Sequence, residues 1–425
     1  MRNPSAAALV VMGLMITAAC GTSTATGDPA PSTSGRVTTA APASGSARPA
    51  SSASASSSGP SADAQDPFAD PLPGMPPVVG RDVYSRTRAG MLSPAVAHDP
   101  AMLYVPDAKG STVTVISQTT RKVVEVLKVG YLSQHVVPSY DLSRLLVNSS
   151  QANRLTSIDP VTTHTVKDLP VPRPYNLYFT PDGRSAVVMV EEHNTIEFAD
   201  PQTFKPTTRI QEPTCKGPNH ADFSANGRFF VVTCEFSGEL LKISTTEHRI
   251  VDRMKLDPTA SARDAAPSDM GMSMPQDVRL SPDGRTFYVA DMGTNELRLI
   301  DALTFRQVRT IGMPKHPHGL YPSRDGKLLY ISDRGAGKVS VLDFATHAIV
   351  DTWTIPGGGS PDMGGVSADG RTLWLSGRYD GVVYGFDTAT GTLVARIKSG
   401  YVNPHGLCVW PQPGRYSLGH TGNMR

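Results

Sequence analysis

The sequence predicts an all-β fold, a β-propeller of four-stranded blades, and three observations carry that prediction. Residues 274–314 read MPQDVRLSPDGRTFYVADMGTNELRLIDALTFRQVRTIGMP, with apolar residues alternating with polar ones and Gly, Asp and Asn punctuating short runs. Period-two alternation with β-branched and aromatic enrichment marks four short antiparallel strands, named a, b, c and d. The unit recurs: the residue near the end of strand b falls at Val105, Val147, Val188, Val232, Val289, Ile331 and Leu375, mostly in steps of 41 to 44 residues. That is the spacing of propeller blades. No single unit of this kind buries both its faces, so the repeats must stack and close into a ring.

The chain begins differently. Residues 1–19 carry Arg2, an apolar run from Ala6 to Ile16 and then small residues before Cys20. The run is too short for a membrane span and reads as an export signal. Cysteine after small residues resembles a bacterial lipoprotein signal, which implies cleavage before Cys20, lipid on its sulfur and attachment to the outer face of the cytoplasmic membrane. Thr17 stands where that motif prefers Leu. Residues 20–76 are almost entirely Ser, Ala, Thr, Gly and Pro. Too little apolar surface offsets their ordering entropy, so they are expected to form a flexible tether with a reach on the order of 40 Å. Residues 77–425 are assigned to the propeller. With 40 basic against 38 acidic residues and no Lys/Arg run, the body lacks the electrostatic footprint of a nucleic-acid binder.

Strands of type a follow from Ala95, His135, Asn176, His220, Asp277, His318, Met363 and His405, which makes eight, and eight b strands end with residues 415–419. Clear c and d strands number seven, and residues 79–87 are a strand-like leftover. Eight blades closed by a shared blade is therefore the leading expectation, with seven the alternative, since pairing the ends removes an exposed edge. The a–b turns, such as Pro181-Asp182-Gly183 and Pro282-Asp283-Gly284, share one face and are uniform. The b–c and d–a loops share the other face, the top, and vary.

Each a strand opens with a polar pair at the top of the central channel: Gln134-His135, Tyr175-Asn176, Asn219-His220, Gln276-Asp277, His318-Gly319, Asp362-Met363 and His405-Gly406. The expected channel-mouth residues are His135, Asn176, His220, Asp277, His318, Asp362 and His405, joined by Arg334 and Arg378 from the top loops. Imidazoles converging in this way can ligate a metal, bind an anion or move protons; equally, each can bond its neighbouring loop. Met270, Met272 and Met274 alternate in an insertion after the fourth repeat, and His316 stands beside His318. Thioether with imidazole favours copper, which makes these four a candidate addition to the four ring histidines, although methionine also serves as gap filler. Cys215 and Cys234 flank one strand pair of blade four at the top, so export into an oxidising setting predicts a disulfide between them, with Cys408 a buried thiol.

The units SPDGRTFYVAD, SRDGKLLYISD and SADGRTLWLSG resemble the YVTN-repeat propellers of bacteria, a superfamily that includes the haem d1 domain of nitrite reductase and the N-terminal domain of nitrous oxide reductase. The resemblance spans residues 77–425 and implies the fold; those enzymes set cofactors at the axial face, so it also makes copper or haem a candidate cofactor. No CxxCH for a c-type haem occurs. Three functions follow as expectations. The leading one is a tethered scaffold whose top face binds a small ligand or a cell-envelope protein without catalysis. The second is a metal- or haem-dependent oxidoreductase built on the histidines. The third is a lactonase-type hydrolase with a divalent ion on carboxylates such as Glu191 and Asp291.

Overall fold

The computed structural model describes residues 66–257, 272–400, 403–420 and 422–425. Cys20 and the proposed leader, most of the proposed tether and Met270 lie outside the described residues. None of the described helices is long and apolar enough to cross a membrane.

The propeller has seven blades, each a four-stranded antiparallel sheet. Blade 2 runs Ser133–Pro138, Leu145–Ser149, Arg154–Ile158, Thr165–Pro170; blade 3 runs Asn176–Phe179, Ala186–Val190, Thr195–Ala199, Pro206–Gln211. Blades 4 to 7 open with inner strands Pro218–Phe223, Pro275–Leu280, Pro317–Pro322 and Pro361–Val366. Blade 1 is composite. Its inner strand, Cys408–Trp410, comes from the far end of the chain and pairs antiparallel with Met102–Pro106, Met102 opposite Trp410. This closure corrects the expectation of eight blades. The segment at Ala95 forms turns rather than a strand, and so do residues 79–87. Residues 415–419 do not pair as a b strand either. Pro411 and Pro413 have no N–H to donate, so ladder pairing stops at Trp410.

Inner, b and c strands are almost wholly buried, whereas outer strands such as Val123–Lys128 and Leu393–Lys398 are largely exposed. The apolar residues of facing sheets interdigitate between neighbouring blades. Tyr178, Val187, Phe223, Phe230 and Val232, for example, join blades 3 and 4. Burying one such side chain contributes roughly 1.5–3 kcal/mol, so the ring is held by many blade interfaces rather than one central core.

The underside is covered by the first described segment. Leu72 donates its N–H to Asn226, Val83 to Pro282, and the Tyr84 hydroxyl to Leu280 O at 2.7 Å. Residues 66–76 therefore belong with the propeller body rather than with the tether that was expected to run to residue 76. The last residues pass beneath the channel. Phe179 N–H bonds Leu418 O, His420 N–H bonds Leu177 O, and Ser417 N–H bonds Tyr140 O. This tail is pinned by Arg425, whose guanidinium lies 2.9 Å from the fully buried Asp222 carboxylate.

Candidate metal centre

The Ser or Thr that ends most inner strands gives a register for the hub: Ser139, Thr180, Ser224, Ser281, Ser323 and Ser367. Five residues before each stands an upper tier, Gln134, Tyr175, Asn219, Gln276, His318 and Asp362; four before stands a lower tier, His135, Asn176, His220, Asp277, Gly319 and Met363. In blade 1 the pair His405-Gly406 aligns with His318-Gly319. The ring histidines expected at equivalent positions thus occupy two depths, His135 and His220 below, His318 and His405 above.

In the lower tier, His135 Nδ1 lies 2.9 Å from Tyr175 O. A carbonyl only accepts, so Nδ1 carries the proton and Nε2 keeps its lone pair, buried and without a hydrogen-bond partner. Its ring sits where Gly406 has no side chain; a Cβ there would fall 2.1 Å from His135 Cδ2. His220 Nδ1 is 3.1 Å from Asn176 Nδ2, which only donates, so here Nδ1 accepts and Nε2 carries the proton, buried without a partner. The tail supplies a third imidazole. His420 Nδ1 lies 3.1 Å from the same Asn176 amide, and its ring centroid is 4.6 Å from that of His220 and 5.6 Å from that of His135. One ligand atom from each of the three falls within 4.8 Å of the others. Tetrahedral zinc at about 2.0–2.1 Å from each nitrogen separates its ligands by roughly 3.4 Å, so side-chain shifts of about an ångström complete the set.

Burial keeps these rings neutral. The pKa of His135 is pushed down to about 3, first by loss of solvent and then by His420. His220, His318, His405 and His420 are all held well below the usual histidine range, in each case first by burial. Neutral imidazole is the form that ligates a metal, and a second ring nitrogen bonded to a carbonyl, as in His135, is the usual arrangement around one.

The upper tier gathers His318, Asp362 and His405, whose ligand atoms also lie within 4.8 Å of one another. His318 Nδ1 is 3.1 Å from Asp362 Oδ1, but the angle is too poor for a hydrogen bond. Arg334 Nη1 reaches the same oxygen at 3.1 Å, and Arg378 Nε lies 3.9 Å from Oδ2. Across the mouth, Asn219 Nδ2 donates to Glu191 at 3.4 Å and to Glu235. Burial, then the neighbouring Glu235, holds the Glu191 carboxyl well above the usual carboxylate range. Guanidinium groups of blades 6 and 7 therefore face a carboxyl on blade 3 that holds its proton more firmly than usual.

Not every residue expected at the mouth is there. Asn176 lies deeper, bonding Tyr178 Oη, His220 and His420. Asp277 is a structural stitch: it accepts the N–H groups of Val278 and Leu320 at 2.9 Å each and pairs with Arg279 at 3.3 Å. Among the described residues the thioethers do not join the imidazoles. Met272 is 55% exposed, and Met274 presents its backbone N–H to Asp291. His316 donates its N–H to Asn295 and packs its ring against Gly335, apart from the clustered imidazoles. Asp291 is engaged by Arg298 at 2.7 Å and by the Ser273 hydroxyl at 2.6 Å, which leaves it no place in a carboxylate cation site with Glu191. Cys215 and Cys234 form a disulfide, and Cys408 is a buried thiol. The tail brings His420 up from below, and no repeat register marks it, because the tail belongs to no blade.

Fold and site together define a seven-bladed propeller with a histidine-lined hub. The family model described as lactonase, 7-bladed β-propeller, matches residues 148–342. No curated protein matches the chain. Among solved structures it is similar to a protein of unknown function from Desulfotomaculum acetoxidans, with 15% identity over 73% of this chain and 98% of that one and a TM-score of 0.58. It is similar to the hydrazine synthase of Kuenenia stuttgartiensis, with 17% identity, 72% and 97% coverage and a TM-score of 0.51. It is also similar to the dihydro-haem d1 dehydrogenase NirN, with 13% identity, 79% and 82% coverage and a TM-score of 0.54. At such identities the structural likeness speaks for the fold alone, and the chain is a seven-bladed β-propeller.

Proposed function

We propose that His135, His220 and His420 hold a transition-metal ion and that the protein is a metal-dependent hydrolase of small esters or lactones. The observation that carries the reading is the buried Nε2 of His135, a lone pair with no partner in the protein, beside the rings of His220 and His420. Those two rings accept from the Asn176 amide at Nδ1, so a metal at their Nε2 would move their protons to Nδ1, against an Asn176 amide turned to present its oxygen. Three neutral ligands leave the ion its full charge, so it would act as a Lewis acid on a carbonyl. The chain supplies the rest. The Glu191 carboxyl, its pKa raised by burial and by Glu235, is placed to give a proton to a leaving oxygen at the mouth. Arg378, whose Nη1 is buried without a partner, offers a donor to charge that develops on the substrate. The lactonase family match supports this substrate class.

A second reading, an oxidoreductase, is favoured by one feature: an all-imidazole set also suits copper. The rings pack with centroids 4.6–5.6 Å apart, so the hub itself offers the space of an ion rather than of a macrocycle. Protein stripped with a chelator and titrated with zinc separates the readings. Stoichiometric uptake with lactone or ester turnover, lost in His220→Ala, supports the hydrolase. Copper bound in protein from its native host, with no turnover, supports the oxidoreductase. Failure to take up any metal removes both and returns the hub to a non-catalytic ligand or partner site. Membrane attachment through Cys20 remains part of the proposal, and labelling with a radioactive fatty acid tests it by whether Cys20→Ala loses the label.

A further inference from the structure

We infer that the hub carries a second cation site, one tier above the first, formed by His318, Asp362 and His405, so that the protein holds two neighbouring metal ions. The inference rests on the metal reading of the lower tier and extends it. All three side chains are buried, at 2%, 0% and 2% exposure. The orientation of His405 is decisive. Its Nδ1 lies 3.2 Å from Gln134 Oε1, an acceptor, so Nδ1 carries the proton and Nε2 is left with a lone pair. That lone pair faces Asp362 Oδ2 at 3.7 Å, and Oδ2 has no hydrogen-bond partner. Two acceptors buried face to face repel unless something positive lies between them.

The third group, His318 Nδ1, is also buried without a hydrogen bond, 3.1 Å from the other oxygen of Asp362. The lower-tier residues beneath this half of the ring are Gly319, Met363 and Gly406. The His135 ring and the Tyr321 hydroxyl fill the places of the two missing side chains, which sets the lower ligand set directly against the upper one. The two ligand sets adjoin: the rings of His135 and His405 are 4.8 Å apart and those of His220 and His318 6.4 Å apart. Two ions in contact with one substrate can stabilise both the attacking and the leaving oxygen.

The two sites differ in strength. The lower one has only neutral ligands, whereas Asp362 in the upper one is shared with Arg334 at 3.1 Å and faces Arg378 at 3.9 Å. These cations oppose a metal ion, so the upper site fills second and more weakly. Imidazole with carboxylate suits zinc, cobalt or manganese better than copper(I).

Titration of the chelator-stripped full chain with cobalt(II), followed by absorption and by metal analysis after gel filtration, tests this. Two equivalents are expected in the wild type, the second weaker. Asp362→Asn and His318→Ala are each expected to bind one, while Arg334→Gln tightens the second by about tenfold as a repelling charge is removed. Circular dichroism checks that each variant is folded, and His405→Gln replaces any that is not. A wild type that binds one equivalent, or Asp362→Asn that still binds two, overturns the second site and leaves the first standing. A wild type that binds none overturns both.

Discussion

His220 and Asp222 stand two residues apart on one strand, both fully buried, and are used in opposite ways. Asp222 is saturated. It accepts Leu280 N–H at 2.8 Å, Asn423 Nδ2 at 2.9 Å and the Arg425 guanidinium at 2.9 Å. His220 keeps an Nε2 with no partner inside the protein. Asp222 stitches blade 4 to blade 5 and to the tail, and Asp277 in turn stitches blade 5 to blade 6 through Leu320 N–H. Tyr178 and Tyr321 do the same through their hydroxyls, accepting Ala221 N–H at 2.9 Å and Gly364 N–H at 2.7 Å. A buried polar group whose bonds are all made within the chain is part of the scaffold. One whose valence is left open, at a cost the fold must bear, marks where something else binds.

Four experiments break or sharpen that contrast. Asp222→Ala leaves Arg425 buried without its counter-charge and is expected to cost about 3–5 kcal/mol of stability, whether or not metal is present; chemical denaturation measures it, and a loss below 1 kcal/mol refutes the stitch. His220→Ala is the reverse case. Metal affinity is expected to fall about 100-fold, near 2.7 kcal/mol, while the stability of the metal-stripped protein changes far less. Equal losses in both states would reduce His220 to packing.

Acid provides the third. The unfolded chain protonates His135 below about pH 6.5, while the folded chain resists protonation until about pH 3. The stability from its neutral ring is thus complete above pH 6.5 and declines as the pH falls towards 3, by roughly 2 kcal/mol at pH 5. The other four buried rings shift in the same direction, so melting temperature should drop steeply between pH 6.5 and 5 and metal should leave over the same interval. A melting temperature flat across that range contradicts neutral buried imidazoles. The smallest effect is expected for Tyr84→Phe, which takes the hydroxyl donor away from Leu280 O on the underside and costs about 1–2 kcal/mol without altering metal content.

Much of the scaffold was legible in the chain because strand alternation and turn residues recur with every blade. The b-strand series from Val105 to Leu375 numbers seven, as the blades do. The miscount to eight came from the ends: the Ala95 segment and residues 415–419 both alternate like strands, yet their partners are set by ring closure, a contact between opposite ends of the chain that local pattern does not encode. The histidines of the inner strands could be read as facing the channel from their place in the repeat. Their division into two depths turns on a one-residue offset, His318 and His405 against His135 and His220, which shows only once the strands are aligned on the serines that follow. His420 could not be read as part of the hub, because it lies outside every repeat. Met272 is exposed rather than turned to the imidazoles, since alternation in a loop fixes no common direction for the side chains.

The route of the last residues has a consequence for how the molecule comes into being. Ring closure waits for Cys408–Trp410, and the third imidazole follows ten residues later, at position 420. During synthesis His135 and His220 emerge long before the centre exists, and a chain stopped at residue 415 would have a closed ring with an incomplete hub. Arg425 is 8% exposed, so a purification tag fused to it would have to leave through the packed underside. A tag placed ahead of residue 66 avoids that obstacle.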